Sequence, residues 1–326
     1  MDERSCGDAY DAACDGVRGD AGADDPAAAF PVSDATGLAG TEDITVGVLV
    51  RELSNRLRAG GVDESGREAR DIVAAVMDMP RFWPSMNPSE SLDAAYVTRA
   101  REAATRRASG APFAYAVGRA AFRHLTLDVD ERVLIPRQET EVLVDAVLEC
   151  ARRDGGVAVD VGTGSGAIAL ALAMEGSFDL VIGTDISLGA VSVASANAAR
   201  LAPAMKAPLE FRAGSLLAPV RDVRARVVVS NPPYIAYDEA AALPRSVHDW
   251  EPVVALFSGA GGMAATAEIV RGAPAILESG GLLALEVDSR RAALAAEMAL
   301  ADGHYSDVTV RLDLAGRERI LLARRA

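Results

Sequence analysis

From residue 157 onward, short apolar runs alternate with stretches of helical periodicity, and no other feature of the sequence restricts the fold as much. Strands that alternate with helices form a mostly parallel sheet with helices on both faces, so we predict a doubly wound α/β fold. A last strand pair, 307–312 and 319–323, has no helix between its members and is predicted to be an antiparallel hairpin at one edge. The other strands are predicted at 157–161, 180–184, 209–212, 227–230 and 282–287, and the helices at 139–151, 166–175, 188–200, 263–278 and 289–302.

An earlier segment, residues 44–110, has a purely helical pattern. Its apolar residues recur at helical spacing, and the glycines at 60 and 61 and the stretch 80–88, with proline at both ends, interrupt the runs. This predicts a small bundle of helices. Because the segment contains no catalytic constellation, we interpret it as a recognition module. The residues that define the pattern are Val46, Leu49, Val50, Leu53, Leu57, Ile72, Val73, Val76, Met77, Leu92, Ala95, Tyr96 and Arg99.

Between these two segments, residues 121–135 alternate apolar and polar positions, with Asp128 to Arg132 in the middle. This pattern predicts a β-hairpin that links two domains. The predicted organisation is a disordered acidic tail at 1–40, a helical recognition domain at 41–111, a linker with the hairpin at 112–137, and a domain built on the parallel sheet at 138–326.

The net charge of −14 is unevenly distributed along the chain. Residues 1–43 hold eleven acids and two arginines, a charge of −9, so only −5 remains for the rest. The acidic segment also has almost no large apolar residues. Because it cannot bury enough apolar surface to offset the conformational entropy lost on ordering, we expect it to be disordered. The mildly acidic body argues against broad contact with a phosphate backbone, which rests on clustered Lys and Arg, so no nucleic-acid substrate is expected.

Cysteines and histidines are few and scattered, without the spacing of a zinc site or of a disulfide framework. We therefore predict no metal site and expect a reducing compartment, the cytoplasm. No run approaches the ~18 apolar residues of a membrane-spanning helix. The acidic start also lacks the basic and then apolar pattern of a secretory signal. No membrane association is expected.

A glycine loop follows the first strand of the predicted sheet: Gly-Thr-Gly-Ser-Gly at 162–166, and then a helix. Such glycines let a ligand approach the backbone closely at the carboxyl end of a strand. The loop alone also fits the dinucleotide fingerprint with alanine at its third position. Asp160, just before the loop, favours a ligand with an ammonium group, such as a methionine moiety, because a carboxylate would repel a pyrophosphate. Asp185, at the end of the second strand, is placed to accept hydrogen bonds from ribose hydroxyls.

The motif that selects the chemistry is Asn231-Pro232-Pro233-Tyr234, directly after the strand at 227–230. Two prolines at a strand end fix the backbone and leave the carbonyl of Pro232 facing the cleft without a ladder partner. That carbonyl and the side-chain oxygen of Asn231 are acceptors for the two hydrogens of an NH2 group. Together with the ring of Tyr234, they would hold a planar amide or amino nitrogen with its lone pair towards a sulfonium methyl. Because methylation makes such a nitrogen acidic, no dedicated base is required.

With these motifs, the sequence resembles the release factor glutamine N5-methyltransferases, the PrmC/HemK family, from about residue 44 onward. The Asn-Pro-Pro-Tyr motif alone is shared with nucleic-acid adenine methyltransferases, whereas the Ile-Pro-Arg segment and the helical N-terminal region distinguish the protein-modifying branch. The matching positions are Pro112, Tyr115, Gly118, Phe122, Leu134 to Arg137, Thr140, Glu141, Asp160 to Ala169, Asn231 to Ile235, Glu251, Pro252, Ala255, Leu256 and Arg317 to Arg319.

The resemblance implies a Rossmann-like class I methyltransferase domain that uses S-adenosylmethionine and yields S-adenosylhomocysteine. It also implies, as acceptor, the glutamine of the Gly-Gly-Gln motif of class I peptide chain release factors, and we expect a monomer. Arg137 would lie near the cleft, either in contact with the substrate or in an ion pair with Glu139 or Glu141. The predicted catalytic residues are Asn231, Pro232 and Tyr234, the substrate-binding residues are Asn231, Pro232, Pro233, Tyr234 and Arg137, and the cofactor-binding residues are Asp160, Gly162, Thr163, Gly164, Gly166, Asp185, Ile186, Ser215 and Asn231.

Three departures from the family pattern bear on the choice of acceptor: Gln138 where proline is common, Ser215 where an acid is common, and the acidic tail. The changes at Gln138 and Ser215 leave open methylation of another protein glutamine or a small amide. The shared Asn-Pro-Pro-Tyr motif leaves a nucleic-acid N6-adenine or N4-cytosine methyltransferase as a further alternative. A dehydrogenase would have no use for the Asn-Pro-Pro-Tyr motif. A non-catalytic binding module with an inactive site is inconsistent with the intact glycine loop and Asn231.

Overall fold

A computed structural model describes residues 44–151 and 155–326, and the acidic tail predicted at 1–40 lies outside these residues. The strands are β1 (Arg119–Phe122), β2 (Leu125–Asp128), β3 (Val157–Val161), β4 (Leu180–Asp185), β5 (Leu209–Ala213), β6 (Ala225–Ser230), β7 (Leu277–Glu286), β8 (Tyr305–Leu312) and β9 (Glu318–Arg325). The α-helices are α1 (Val46–Ala59), α2 (Ser65–Val76), α3 (Trp83–Met86), α4 (Ala94–Ala108), α5 (Phe113–Val117), α6 (Gln138–Cys150), α7 (Ala167–Glu175), α8 (Leu188–Leu201), α9 (Arg245–His248), α10 (Val253–Leu256), α11 (Gly259–Gly262), α12 (Ala264–Gly272) and α13 (Ala292–Asp302). Short 3-10 helices occupy Ala202–Ala204, Ala218–Val220, Tyr237–Ala242 and Ala273–Ala275.

Seven of the strands form one sheet in the order β5-β4-β3-β6-β7-β9-β8. Neighbours from β5 to β7 are parallel, whereas β9 runs antiparallel to both β7 and β8. The chain moves outward from β3 to β5 and then returns to β6 on the other side of β3, so the strand order reverses between β3 and β6. Ligands of open α/β sheets bind at the carboxyl ends of strands at such a point. The predicted doubly wound sheet and its antiparallel edge hairpin are confirmed.

Adjacent residues of the central strands face opposite sides of this sheet, because side chains alternate along a strand. In β3, Ala158 belongs to the apolar core under α6, α7 and α8, whereas Val159 belongs to the core under α12 and α13. In β6, Val227 and Val228 alternate in the same way, and all four residues are fully buried. Since both faces are covered, these strands have the continuous apolar runs seen in the sequence.

The hairpin is present, but it lies nearer the N-terminus than the sequence pattern predicts. β1 and β2 pair antiparallel with their turn at Arg123 and His124, so the prediction that put residues 128–132 in the middle is wrong. Arg123 has a left-handed φ of 53°, which is unfavourable for a bulky residue. Its guanidinium pairs with Glu175 and Asp145, both at 2.7 Å, and this holds the turn in place.

The helix predicted at 263–278 is shorter than expected. α12 ends at Gly272 and is followed by a 3-10 turn that contains Pro274, and β7 begins at Leu277. Proline lacks the N–H that a continuing helix requires, so it ends the helical pattern although the residues around it are apolar. β7 accordingly starts before the predicted residue 282.

The N-terminal helices pack around an apolar core of their own, as the helical pattern predicts. Thr45 caps α1 by accepting a hydrogen bond from the backbone N–H of Val48 at 3.4 Å. The domain bounds at 111 and 137 remain predictions, because the described residues, 44–151 and 155–326, form one compact unit. In the described part of the chain, no helix is long and apolar enough to cross a bilayer. The core of these helices includes Leu49, Leu53, Leu57, Ile72, Val73, Val97, Ala100 and Ala104.

Candidate active site

The loops after β3, β4, β5 and β6 surround a cavity of ≈ 330 Å³, termed here the glycine-loop cavity. It lies at the carboxyl ends of the strands, where the strand order reverses. Six of the nine residues predicted to bind a cofactor line it, and Pro233 does so as well. These wall residues are Gly162, Gly164, Asp185, Ile186, Ser215, Asn231 and Pro233.

The glycine loop exposes its backbone to this cavity. Gly162 and Gly164 have φ values of 74° and 55°, which favour glycine, and a Cβ built on either would meet no atom within 4 Å. Asp185 fixes the loop, because its Oδ2 accepts from the N–H of Gly164 and its Oδ1 from the N–H of Ser187, both at 2.9 Å. The open space beside both glycines lets a ligand approach the peptide groups.

Three residues predicted to bind a cofactor do not line the cavity: Asp160 precedes the loop, and Thr163 and Gly166 belong to it. Asp160 is fully buried, and its Oδ2 accepts from the hydroxyl of Thr163 at 2.7 Å and from the N–H of Ala169 at 3.1 Å. Its Oδ1 has no hydrogen-bond partner within residues 44–151 and 155–326. Burial raises the pKa of the Asp160 carboxyl to about 7, against the effect of these two hydrogen bonds. Gly166 is buried too, and a Cβ there would lie 3.1 Å from Leu170, so glycine allows α7 to pack closely.

A second cavity of ≈ 200 Å³, termed the Asn-Pro slot, opens beside the first. Its walls include Arg137, Asn231, Pro232 and Tyr234, four of the five predicted substrate-binding residues. The two cavities share three wall residues, among them Asn231, so they meet at this side chain. The apolar part of the slot consists of Leu134, Ile235, Leu243, Val247, Ala255 and Leu256.

Behind the slot, hydrogen-bonded side chains hold the Asn-Pro-Pro-Tyr turn. Asn231 Nδ2 donates to Thr140 Oγ1 at 3.0 Å, and this hydroxyl donates to Glu286 Oε2 at 2.7 Å. The other carboxylate oxygen, Oε1, accepts from the hydroxyl of Tyr234 at 3.4 Å. Arg319 donates to the same hydroxyl at 3.4 Å, and its guanidinium carbon lies 5.9 Å from the centre of the Tyr234 ring. Burial raises the pKa of both Glu286 and Tyr234.

Arg137 forms an ion pair, but with a partner other than the two predicted from the sequence. Its Nη2 lies 2.5 Å from Oε1 of Glu251, so the partner is neither Glu139 nor Glu141. The Glu251 carboxylate is buried, whereas Arg137 is partly exposed at the wall of the slot. Burial raises the pKa of Glu251, and the positive charge of Arg137 opposes this shift.

Several residues at the site were not predicted as site residues, although all except Glu286 are among the positions that match the family. Leu134 and Ala255 line both cavities, and Thr140, Glu286 and Arg319 hold the turn from behind. One signal was available, because Glu286 is the only acid in the apolar run 282–287 and lies near its carboxyl end. Such strand ends meet on the ligand side of a parallel sheet, so a charged residue there indicates a site.

Two family models match the chain. The model described as the PrmC N-terminal domain matches residues 49–118, and the Methyltransferase small domain matches residues 136–244. The release factor glutamine methyltransferase of Moorella thermoacetica is 40% identical over 279 residues, which are 84% of this chain and 96% of that protein. Its counterpart in Cereibacter sphaeroides is 38% identical over 269 residues, 82% of this chain and 94% of that protein. Among solved structures, a methyltransferase from Pyrococcus furiosus aligns with 61% of this chain and 87% of its own, at 19% identity and a TM-score of 0.47.

The doubly wound sheet with its glycine loop and Asn-Pro-Pro-Tyr turn defines a class I methyltransferase that uses S-adenosylmethionine. The chain belongs to the release factor glutamine methyltransferase family. The resemblance inferred from the motifs is thereby confirmed, together with the helical N-terminal region and the cofactor. The relatives do not favour the nucleic-acid and small-amide alternatives.

Proposed function

We propose that this protein transfers the methyl group of S-adenosylmethionine to the side-chain nitrogen, N5, of the glutamine in the Gly-Gly-Gln motif of class I peptide chain release factors. The observation that carries the proposal is the meeting of the glycine-loop cavity and the Asn-Pro slot at Asn231. A methyl donor in the first cavity and an amide in the second would be adjacent and oriented, which supplies a large part of the catalysis of a two-substrate reaction. The names of the relatives support the release factor as the acceptor.

The residues around the glycine-loop cavity fit this cofactor. When bound, S-adenosylmethionine supplies a methyl group on a positively charged sulfonium. Gly162 and Gly164 would admit the ligand to the backbone, and Asp185 stands where ribose hydroxyls are expected. Ser215 stands after β5, on the side expected for the adenine edge. The unpartnered Oδ1 of Asp160 is a buried acceptor that suits an ammonium group, since a buried polar atom without a partner is costly.

In the Asn-Pro slot, Oδ1 of Asn231 and the carbonyl of Pro232 would each accept one hydrogen of the amide NH2 group. This turns the nitrogen lone pair towards the glycine-loop cavity. The ring of Tyr234 would flank the planar amide, and the apolar walls of the slot suit the methylene groups of a glutamine side chain. The amide nitrogen would gain the methyl carbon while the bond from that carbon to the sulfonium sulfur breaks, which leaves S-adenosylhomocysteine. The nitrogen would then release one proton to water, so no buried base is needed.

We also propose that the protein acts as a monomer in the cytoplasm, on a protein and not on nucleic acid. The residues after position 43 carry a net charge of −5, which does not suit broad contact with a phosphate backbone. Arg137, at the wall of the slot, is placed to contact the release factor around the glutamine, while Glu251 keeps its guanidinium in position.

The test is mass spectrometry of an unmethylated class I release factor after incubation with this protein and S-adenosylmethionine. We expect a single added methyl mass on the glutamine of the Gly-Gly-Gln peptide, and no addition when that glutamine is replaced by glutamate. If S-adenosylmethionine binds in calorimetry but the release factor gains no mass, the proposed acceptor is wrong. Methylation of an adenine-containing oligonucleotide instead would support the nucleic-acid alternative.

Asn231→Ala tests the proposed role of the Asn-Pro slot. This variant should abolish turnover and leave the affinity for S-adenosylmethionine nearly unchanged, because the amide serves the acceptor. Asn55→Ala is the matched control, since it removes an exposed asparagine on α1. Full activity of Asn231→Ala would remove the central step of the proposal.

A further inference from the structure

Thr140 and Glu286 stand behind Asn231 and line neither of the two cavities. Thr140 lies in the first turn of α6 and Glu286 at the end of β7, and they are 4% and 1% exposed. The two residues are 146 positions apart and meet only through the fold. They connect to Asn231 by two hydrogen bonds, from Asn231 Nδ2 to Thr140 Oγ1 at 3.0 Å and from Thr140 Oγ1 to Glu286 Oε2 at 2.7 Å.

The chemistry of these groups fixes the direction of the chain of hydrogen bonds. Burial disfavours the charged form of Glu286, but the guanidinium of Arg319, 3.9 Å away, favours it. In this ionised form the carboxylate has no hydrogen to donate, so Glu286 can only accept. The hydroxyl of Thr140 has one hydrogen and gives it to Glu286. Its oxygen can then only accept from the other side, and the amide of Asn231 must present its NH2 group there. The side-chain oxygen of Asn231 is thereby turned away from Thr140.

The opposite orientation of the amide would not work. An Asn231 amide rotated by half a turn would place its oxygen against the oxygen of Thr140, with no hydrogen between them. The NH2 group would then face the Asn-Pro slot, where it cannot accept a hydrogen bond from the NH2 group of a glutamine. The two orientations have nearly the same shape, so packing does not choose between them, whereas the hydrogen bonds do.

Glu286 also connects to the other end of the motif. Its Oε1 accepts from the hydroxyl of Tyr234 at 3.4 Å, and Arg319 lies 3.9 Å from the same oxygen. Asp313 holds Arg319 in turn, at 3.2 Å. One buried carboxylate therefore holds both side chains that flank the Asn-Pro slot, and a neighbouring guanidinium offsets its charge.

We propose that Thr140 and Glu286 are positioning residues, which fix the amide of Asn231 with its oxygen towards the acceptor nitrogen. The inference rests on the proposed function of the Asn-Pro slot. The arrangement restricts the slot to groups that carry hydrogens, and it sets the orientation of Asn231 before the substrate arrives. Groups preorganised in this way act mainly on the rate of the chemical step.

The inference is tested with Thr140→Val, which keeps the shape and removes the hydroxyl, and with Thr140→Ser, which keeps the hydroxyl. In Thr140→Val, kcat for glutamine methylation should fall by about ten- to a hundredfold, the scale of one or two strong interactions lost from the transition state. The Kd for S-adenosylmethionine, measured by calorimetry, should stay the same. Thr140→Ser should restore most of the rate.

Thr266→Val is the matched control, because Thr266 is also buried and its hydroxyl has no hydrogen-bond partner in the described ranges. Its kcat should equal that of the unmodified protein. Equal kcat in Thr140→Val and the unmodified protein would overturn the inference. An equal loss in the Val and Ser variants would also overturn it, since that pattern indicates packing and not hydrogen bonding.

A second measurement does not depend on turnover. In a protein with isotope-labelled asparagine, the NH2 group of Asn231 should exchange slowly with solvent in the unmodified protein and in Thr140→Ser. It should lose this protection in Thr140→Val. Unchanged protection in Thr140→Val would overturn the inference. If the unmodified protein does not methylate a release factor, the proposed function fails, and the exchange comparison still decides the role of Thr140.

Discussion

Arg137 and Glu251 form an ion pair at 2.5 Å at the wall of the Asn-Pro slot, although 114 positions separate them in the chain. The pair joins the segment before α6, which contributes Leu134 and Arg137 to the slot, to the residues between α9 and α10, two helices that also contribute walls. Burial raises the pKa of Glu251, and the guanidinium counteracts this. The charged state of the carboxylate therefore depends on its partner.

Arg137→Ala should destabilise the protein, because it leaves a buried carboxylate without its counter-charge. We expect the free energy of unfolding to fall by about 1 to 3 kcal/mol, as for other buried charged groups that lose a hydrogen bond. Adding Glu251→Gln should recover part of the loss, since a neutral amide needs no counter-charge. Urea unfolding of Arg137→Ala, Glu251→Gln and the double variant measures the coupling free energy between the two residues. If the two changes in the free energy of unfolding simply add, the prediction is wrong.

Asp160 should make the affinity for S-adenosylmethionine depend on pH. Burial raises the pKa of its carboxyl to about 7, so near neutrality a fraction of the molecules carries a protonated group that cannot hold an ammonium ion. Affinity should increase as the pH rises through this value, and binding at neutral pH should release a proton. Calorimetry in buffers with different ionisation enthalpies measures that release, and affinity without pH dependence would argue against the contact.

The same carboxyl should affect stability with the opposite sign. Its pKa is about 7 in the folded protein and 3.8 ordinarily, so between these values the folded state keeps a proton that the unfolded state has lost. The free energy of unfolding should therefore decrease as the pH rises across this window. Asp160→Asn is the control, because it should remove this contribution from urea unfolding curves measured across the window.

Gly262 should prove necessary for the Asn-Pro-Pro-Tyr turn. Its φ is 88°, and a Cβ would lie only 2.3 Å from the carbonyl oxygen of Tyr234. Gly262→Ala should displace the turn and reduce kcat by about tenfold or more, as expected when reacting groups are misplaced. Gly261→Ala is the matched control, since its φ is 63° but its Cβ would meet no atom within 4 Å. It should cost only backbone strain, and equal kcat in the two variants would contradict the prediction.

Two glycines of the loop should separate ligand binding from stability. A Cβ on Gly164 would point into open space beside the cavity, whereas a Cβ on Gly166 would lie 3.1 Å from Leu170 and 3.3 Å from Ala194. Gly164→Ala should therefore weaken the binding of S-adenosylmethionine more than Gly166→Ala, and Gly166→Ala should lower the unfolding temperature more. Calorimetry and thermal unfolding of both variants test this, and the reverse order would show that the glycines have exchanged roles.

The central sheet can be predicted from the sequence because its signal is local. The bounds predicted at 157–161 agree with β3, since a strand buried on both faces appears as an unbroken apolar run. The hairpin turn at Arg123 gives no such signal. The turn is held by an ion pair between Arg123 and Glu175, which is 52 positions away. An alternation of apolar residues within one segment gives no information about a partner at that distance.

In the active site, too, local motifs can be predicted from the sequence, whereas contacts between residues distant in sequence cannot. The motifs identify Asn231 and Tyr234, which are close in sequence, but not the side chains that hold them. Thr140 and Glu286 meet only because α6 packs beside β7, and this depends on the strand order of the whole sheet. The sequence also does not reveal the hydrogen bond from the first turn of α7 that holds the other carboxylate oxygen, Oδ2, of Asp160.

β9 lies between β7 and β8 in the sheet although it follows both in the chain. It pairs Ile320 with Glu286 and brings Arg319 to the hydroxyl of Tyr234. A nascent chain synthesised only as far as residue 312 thus has an unpaired edge on β7 and lacks part of the support behind the slot. Folding during synthesis proceeds from the N-terminus, so the sheet stays open until residues 318–325 have left the ribosome. The support behind the Asn-Pro slot is therefore complete only when β9, one of the last strands to be translated, has joined the sheet. The protein can methylate its substrate only after that step.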